Sequence, residues 1–221
     1  MAYNAILFDI DGTLVNNVHI CTEAYRITFK HFTGRLFADE EFVPQFGMAE
    51  EGILAFHLPE LPLSDVSDKY FAAYEELHQD VREPFNGLRQ TIEHLHKSGI
   101  PIGVVTGKGE RGAYATLRML GLLPFFQVIE TGCLEGANKP ESLRRAAQRL
   151  GLAPHQVVYV GDTGYDVASA SAIGMPIVGA GWSESTTLTP ENASKALHVF
   201  KTIEAFHEWA VTTFCATEAA S

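Results

Sequence analysis

The sequence predicts an α/β protein with a three-layer, doubly wound parallel sheet and an inserted helical cap subdomain. From residue 84 onward, short apolar runs alternate with amphipathic segments of about three helical turns, which is the pattern of βαβ units. Between residues 15 and 83 the apolar residues have helical spacing, and no segment has the pattern of a strand. We therefore assign residues 1–14 and 84–221 to an α/β core and residues 15–83 to the cap.

The first predicted element is a buried strand over residues 5–8, which ends in acidic residues and a glycine. In the cap, residues 17–32, 50–57 and 64–81 have apolar side chains at helical spacing. Two prolines in residues 58–63 separate the second of these helices from the third, because proline breaks a continuous helix. The cap is thus predicted to be wholly helical.

The remainder of the core is predicted to alternate between helices and strands. The predicted helices are residues 88–97, 111–120, 141–150, 167–173 and 203–213. The predicted strands are residues 100–105, 125–130, 156–160, 176–178 and 197–200. We expect the small polar tail after the last helix to fray.

The charge of the chain limits its partners. Of 221 residues, 46% are hydrophobic and 19% are charged, as in an ordinary globular protein, and the formal net charge is -11. Such a surface repels duplex nucleic acid and anionic membranes, so we expect neither as a main partner. A small phosphorylated metabolite is not excluded, because a metal ion and a few donors can reverse the field inside one pocket.

Three scattered cysteines, Cys21, Cys133 and Cys215, include no C-x-x-C pair. They do not form a disulfide framework, and a reducing cytoplasm suits them best. The amino terminus has no basic region of the kind found in signal peptides. Since no apolar stretch approaches the ~20 residues of a membrane span, we expect a soluble, cytoplasmic protein of undetermined oligomeric state.

Candidate functional residues lie where the predicted strands end. Ligands of such open sheets bind at the carboxyl ends of the strands, so groups from distant connections meet in one crevice. The groups that the sequence places there are Asp9, Asp11, Thr106, Lys139, Asp162 and Asp166.

These residue types suit phosphate chemistry assisted by a divalent metal. Asp9 and Asp11 are two residues apart, so an extended segment directs both carboxylates to one side, where paired carboxylates can divide acid–base roles. Asp162 and Asp166, together with Asp9, offer the hard oxygen ligands that magnesium prefers. Each residue also has a plainer interpretation, such as a turn, a helix cap or a solvated lysine, but all of these together are improbable.

The chain resembles the haloacid dehalogenase-like hydrolases in four ordered motifs. They are Asp9-x-Asp11-Gly-Thr-Leu, Val105-Thr106-Gly, Lys139-Pro, and Gly161-Asp162-Thr-Gly-Tyr-Asp166. The connecting stretches Pro84-Phe-Asn-Gly-Leu and Leu120-Gly-Leu-Leu-Pro-Phe-Phe are similar to those of phosphoglycolate-phosphatase-like members. This resemblance covers nearly the whole chain. It implies a Rossmann-like core of the haloacid dehalogenase type (HAD-like). It also implies a Mg²⁺-dependent phosphatase that acts on a small phosphorylated metabolite.

The resemblance also implies a role for each acid of the first motif. Asp9 would attack phosphorus, form an aspartyl phosphate and ligate Mg²⁺. Asp11 would protonate the leaving oxygen and later deprotonate the attacking water, while its backbone carbonyl ligates the metal. Dehalogenating members lack an acid at the position of Asp11, so the resemblance favours phosphoester hydrolysis over carbon–halogen cleavage.

The other motifs are implied to bind the phosphoryl group and the metal. Thr106, Gly107 and Lys139 would hold the phosphoryl group, and Lys139 would also restrain the charge of Asp9. Asp162 would be a metal ligand. Asp166 would ligate the metal through water or orient Lys139.

Two acids at the start of a cap helix, Glu50 and Glu51, are candidate specificity residues. No arginine lies beside them, so a carboxylated substrate such as phosphoglycolate would be poorly served. We therefore hypothesise a neutral, cationic or metal-bridged leaving group, as in a sugar phosphate or pyrophosphate. We favour the plainer interpretation, in which both glutamates are solvated residues at the start of a helix.

A different enzyme class is suggested by Gly107, Gly109 and Gly112. They form a G-x-G-x-x-G pattern after a strand, and Glu130 ends the next strand, as in a dinucleotide-binding oxidoreductase. However, Lys108 and two further charged residues crowd this loop, and the aspartates would have no purpose. We therefore interpret the pattern as a coincidence.

A third interpretation is non-catalytic. Asp9 would be the phosphate acceptor of a signalling module, and the apolar faces of the cap helices would bind a partner instead of closing over a substrate. A long-lived phosphorylated Asp9 with little or no turnover would favour this interpretation.

Overall fold

The structure is a computed structural model and describes residues 3–215. Its strands form one parallel sheet, in which the first strand pairs with the second on one side and the fourth on the other. The strands are β1 (Ala5–Phe8), β2 (Ile102–Val105), β3 (Val128–Glu130), β4 (Val157–Gly161), β5 (Ile177–Ala180) and β6 (His198–Phe200). Their order across the sheet is β3-β2-β1-β4-β5-β6. The predicted doubly wound parallel sheet is confirmed.

Helices cover the sheet and form the insertion after β1. Those of the insertion are α1 (Val18–Thr33), α2 (Asp39–Phe42), α3 (Glu50–His57) and α4 (Leu63–Leu77). Those that follow are α5 (Leu88–Lys97), α6 (Glu110–Met119), α7 (Lys139–Arg149), α8 (Gly164–Ser171), α9 (Pro190–Ala193) and α10 (Ile203–Cys215). Short 3₁₀ turns occupy residues 43–45, 78–80, 123–125 and 154–156.

The central strand β1 divides its side chains between two apolar cores. Ile6 and Phe8 belong to the cluster that includes side chains of α5, α6 and α10. Ala5 and Leu7 belong to the cluster that includes side chains of α7 and α8. Successive side chains of a strand point to opposite faces, so helices cover both faces and the core has three layers.

Several predicted boundaries are corrected by local structure. The strand expected over residues 125–130 begins only at Val128, because Pro124 and its neighbours form a 3₁₀ turn. The helix expected over residues 167–173 begins at Gly164, because Thr163 caps it. The four-residue helices α2 and α9 were not predicted, since such a short helix has no apolar period. The predicted fraying tail lies outside the described residues, apart from its first positions.

The insertion has an apolar core of its own, which is rich in aromatic residues. Tyr25, Phe29 and Tyr70 belong to this cluster, in which α1 packs along α4. No strand of the sheet lies within residues 15–83, all of which the structure describes. The two connections to the sheet run side by side, because the N–H of Phe85 donates to the carbonyl of Leu14 at 3.0 Å. The division into core and cap at residues 14 and 84 stays a prediction, which this separate packing supports.

The helices and the cysteines of the described part of the chain bear on two expectations from the sequence. None of the helices in residues 3–215 is long and apolar enough to span a bilayer. All three cysteines are free.

Candidate active site

One cavity of about 400 Å³ lies between the carboxyl ends of the strands and the inserted helices. Most of the predicted site residues line it. Those on its wall are Asp9, Asp11, Glu50, Thr106, Gly107, Lys139 and Asp162. Asp166 is fully buried behind them, and Glu51 is not among the lining residues.

Lys139 joins two of the predicted acids. Its Nζ lies 2.6 Å from Oδ2 of Asp9 and 2.5 Å from Oδ1 of Asp166, and all three residues are buried. Burial alone would lower the pKa of Lys139, but the charges of Asp166 and Asp9 outweigh it and raise that pKa above its ordinary value. The ammonium therefore stays charged beside Asp9.

Asp166 is held in place by the start of helix α8. Thr163 caps the helix, since its hydroxyl accepts the N–H of Asp166, while Oδ2 of Asp166 accepts the N–H of Thr163 at 2.9 Å. The hydroxyl of Tyr159 donates to the other oxygen of Asp166 at 3.1 Å. Burial raises the pKa of Asp166, but Lys139 and Thr163 hold it below its usual value. Because Thr163 is the residue that caps helix α8, Asp162 is free for another role.

A group of three buried carboxylates suits a divalent metal ion. Oxygens of Asp9, Asp162 and Asp166 all lie within 4.8 Å of one another. Burial, followed by the charges of Asp166 and Asp9, raises the pKa of Asp162 to about 8. Burial also raises the pKa of Asp9 to about 6, against the effect of Lys139. These acids carry more negative charge than one lysine offsets, and hard oxygen ligands fit Mg²⁺.

Gly12 allows Asp162 to approach the first motif. Its φ of 73° is in the left-handed region, and a Cβ there would overlap a carboxylate oxygen of Asp162. The hydroxyl of Thr13 donates to Oδ1 of Asp162 at 3.0 Å. Thr13 was not predicted as a site residue, although its place in the first motif was a signal for it.

The side chain of Asp11 lies outside the group formed by the carboxylates of Asp9, Asp162 and Asp166. Its Oδ2 lies 3.3 Å from Nζ of Lys108, and its Oδ1 has no hydrogen-bond partner among residues 3–215. The side chain of Asp11 is thus absent from the grouped carboxylates, so that only its backbone carbonyl would serve a metal. Asp11 lines the cavity, and one of its carboxylate oxygens has no competing hydrogen-bond partner there, as an acid–base group requires.

Thr106 and Gly107 follow strand β2 on the wall of the cavity. The N–H of Lys108 donates to the hydroxyl of Thr106 at 3.3 Å. A Cβ on Gly107 would lie 2.7 Å from Cα of Gly47, so glycine is needed where the cap loop approaches the strand end. The predicted phosphate-binding residues therefore lie directly beneath the cap.

Lys108 and Glu50 form a pair that sequence reasoning missed. Nζ of Lys108 lies 3.0 Å from Oε1 of Glu50, whose Oε2 accepts the N–H of Gly109 at 2.5 Å. Glu50 is 4% exposed, so the interpretation of it as solvated is wrong. The charge of Glu50 faces a lysine, which removes much of its expected repulsion of an anionic leaving group. The position of Lys108 directly after Thr106-Gly107 was the available signal.

Glu51 takes a different place from Glu50. It is half-buried beside the backbone of Gly109, and burial raises its pKa. Because it does not line the cavity, its predicted contact with the leaving group has no support in the geometry.

The glycines at residues 107–112 allow the cap to pack closely against this part of the core. A Cβ on Gly109 would lie 2.5 Å from a carboxylate oxygen of Glu51, and one on Gly112 would overlap the carboxylate of Glu50. Side chains of α3 thus fill the space that the pyrophosphate group of a bound dinucleotide would need. Glu130 is paired with two arginines of α7 at 2.9 Å. The geometry does not support a dinucleotide site.

A parallel sheet that places a lysine-bound aspartate and grouped carboxylates beneath a helical insertion indicates a phosphate hydrolase with a doubly wound α/β core. Residues 6–180 match the family model described as "Haloacid dehalogenase-like hydrolase". The chain belongs to this family, as its motifs indicated, and it is a phosphatase.

Relatives and solved structures agree with this assignment. The chain is 30% identical over 184 residues to the pyrophosphatase PpaX of Bacillus pumilus, a match that covers 81% of this chain and 84% of the relative. CbbY from Rhodobacter sphaeroides, solved with phosphate, superposes with a TM-score of 0.76 at 22% identity over 91% of this chain and 95% of its own. A putative beta-phosphoglucomutase from Thermotoga maritima gives a TM-score of 0.69 at 22% identity, over 95% and 99%. These structures share the fold.

Proposed function

We propose that the protein is a Mg²⁺-dependent phosphatase that hydrolyses a small organic phosphate ester through an aspartyl phosphate on Asp9. The observation that carries this proposal is the position of Lys139, whose Nζ bridges Asp9 and Asp166 beside Asp162. A nucleophilic carboxylate needs such a cation, because attack on phosphorus brings two negative groups together.

The chain's own residues suit both halves of the reaction. Lys139 would fix Asp9 and, together with Thr106 and the backbone at Gly107, bind the phosphoryl oxygens. Asp11 would protonate the leaving oxygen and then accept a proton from the water that hydrolyses the aspartyl phosphate. Bound by Asp9, Asp162 and the carbonyl of Asp11, Mg²⁺ would offset charge on the phosphoryl oxygens.

The wall of the cavity supports an organic leaving group. The insertion contributes mainly apolar and aromatic side chains to it, namely Val18, Tyr25, Phe46, Met48, Ile53 and Tyr70. A leaving group with an apolar face would cover these side chains, as ligands usually do in such cavities. The lining therefore supports a phosphate ester with a carbon skeleton, such as a sugar phosphate.

Pyrophosphate is the second candidate substrate. It is favoured by the 30% identity to a pyrophosphatase. Against it, pyrophosphate alone would leave the apolar wall uncovered.

A phosphate-release assay on the full chain tests the proposal. Sugar phosphates, phosphoglycolate and pyrophosphate are compared with and without Mg²⁺, for the wild type and for Asp9→Asn, whose folding is checked by circular dichroism. We expect turnover that chelation and Asp9→Asn both abolish, with a preference for a sugar phosphate. Turnover that survives Asp9→Asn would contradict the mechanism, and a preference for pyrophosphate would support the second candidate.

We also propose that the protein is cytoplasmic. The three free cysteines support this location, because one of them is exposed and such a thiol persists best in a reducing compartment. Fractionation of cells that express the tagged chain tests it.

A further inference from the structure

Lys108 is a buried cation outside the phosphate-binding set. It follows strand β2, and its side chain is 3% exposed. Its Nζ lies 3.3 Å from Oδ2 of Asp11 and 3.0 Å from Oε1 of Glu50. The ammonium thus links the first motif to the insertion.

Two more groups of the insertion surround this ammonium. It donates to Sγ of Cys21 at 3.4 Å and lies 4.6 Å from the ring centroid of Tyr74. Its partners within the insertion come from α1, α3 and α4. Burying an ammonium is unfavourable unless it is paired, so this many contacts indicate a defined position.

The two oxygens of Asp11 are unequal. Oδ2 is held by Lys108, whereas Oδ1 has no hydrogen-bond partner among the described residues. This arrangement suits a general acid, because the fixed oxygen orients the carboxyl group and no hydrogen bond to the protein competes for the other.

We infer that Lys108 is a positioning residue for Asp11, and that Glu50 of the insertion holds Lys108 in place. This inference rests on the proposed function. In the first step, an oxygen of Asp9 bonds to phosphorus, the bond to the leaving oxygen breaks, and the proton of Asp11 passes to that oxygen. In the second step, water bonds to phosphorus, its proton passes to Asp11, and the bond from phosphorus to Asp9 breaks.

The basicity of the leaving group separates positioning from direct substrate binding. An alkoxide leaves poorly without a proton, whereas 4-nitrophenolate leaves readily as an anion. If Lys108 aligns Asp11, its loss should slow alkyl phosphates far more than 4-nitrophenyl phosphate. If Lys108 only binds the substrate, KM should rise regardless of leaving-group basicity.

The test compares Lys108→Met, Lys108→Arg and Glu50→Gln with the wild type. The substrates are a series of aryl phosphates graded by the basicity of the leaving group, and the best alkyl phosphate from the phosphate-release assay. The quantity to compare is kcat/KM, because it reports the step in which Asp9 is phosphorylated. Lys97→Met is the control, since Lys97 is a surface lysine on α5 whose side chain is 77% exposed.

For Lys108→Met we expect a loss of about 100-fold on the alkyl phosphate, the usual contribution of general acid catalysis, and less than about tenfold on 4-nitrophenyl phosphate. Lys108→Arg should recover part of the loss, and Glu50→Gln should show the same trend more weakly. An equal loss across the series, or a change in KM alone, would overturn the inference while leaving the proposed function intact. If Lys108→Met does not fold, Glu50→Gln decides between the two roles, through the dependence of its loss in kcat/KM on leaving-group basicity. A wild type without Mg²⁺-dependent turnover would overturn both.

Discussion

The side chain of Asn17 donates a hydrogen bond to the hydroxyl of Tyr74 at 3.0 Å, close to where the chain enters the insertion. That hydroxyl also lies 2.7 Å from Oγ1 of Thr116 on α6. Since all three residues are buried, Tyr74 connects helix α4 both to the start of the insertion and to the core.

Tyr74→Phe should destabilise the protein. It leaves the amide of Asn17 and the hydroxyl of Thr116 without this partner, and an unsatisfied buried polar group costs about 1–3 kcal/mol. Urea denaturation should show this loss in the free energy of unfolding. Tyr114→Phe, on a partly exposed ring of α6, is the matched control and should change little. Equal stability of the two variants would mean that Tyr74 does not connect cap and core as described.

Asp162→Asn should remove the stabilisation of the protein by Mg²⁺. A ligand that binds only the folded state raises its stability, so Mg²⁺ should raise the Tm of the wild type. The variant lacks one of the grouped carboxylates and should show little rise. Glu184→Gln, a surface change, should behave like the wild type. A normal Mg²⁺ response of Asp162→Asn would exclude the proposed ligand set.

Without metal, the same residue predicts a pH dependence of stability. The pKa of Asp162 is raised from 3.8 to about 8, so the folded state retains a proton that the unfolded state releases between these values. Folding should therefore become less favourable as pH rises from 3.8 toward about 8. In the chelated protein, Asp162→Asn should flatten this fall in Tm. A wild-type stability that rises over this range would contradict the raised pKa of Asp162.

The cysteines should differ in their reactivity toward iodoacetamide. Burial, followed by the charge of Asp11, raises the pKa of Cys21 to about 12, whereas Cys133 is exposed. Only a thiolate reacts, so at neutral pH Cys133 should be alkylated first and Cys21 slowly. Mass spectrometry of digests gives both rates. Comparable rates would show that the insertion opens often, and Cys133→Ser serves to isolate the slow reaction.

Much of the site could be predicted because it depends on sheet topology. Asp9, Thr106 and Asp162 follow strands whose carboxyl ends meet at one edge, so reading those strands was enough to bring the residues together. Lys139 followed from its place at the start of the helix before β4.

The contacts between cap and core could not be predicted in this way. Glu50 reaches Gly109 across 59 positions of sequence, and its burial depends on how α3 sits on the core. No apolar period encodes that approach. Lys108 was therefore interpreted as crowding a loop, although its ammonium has partners on both sides of the interface. The glycines of that loop likewise had no visible purpose until the cap was in place.

Gly112→Ala should have opposite effects on stability in two backgrounds. Gly112 lies in helix α6, where alanine is ordinarily favoured over glycine by about 0.5–1 kcal/mol because glycine loses more backbone freedom on folding. Here a Cβ would overlap the carboxylate of Glu50, so the substitution should destabilise the wild type. In a Glu50→Ala background the overlap is gone, and the same substitution should stabilise the protein. Urea denaturation of the four proteins in this double-mutant cycle measures both effects, and the coupling between the sites should have the sign that relief of a clash requires. If Gly112→Ala stabilises both backgrounds equally, α3 does not rest on Gly112 of α6, and the cap does not lie on the core as described.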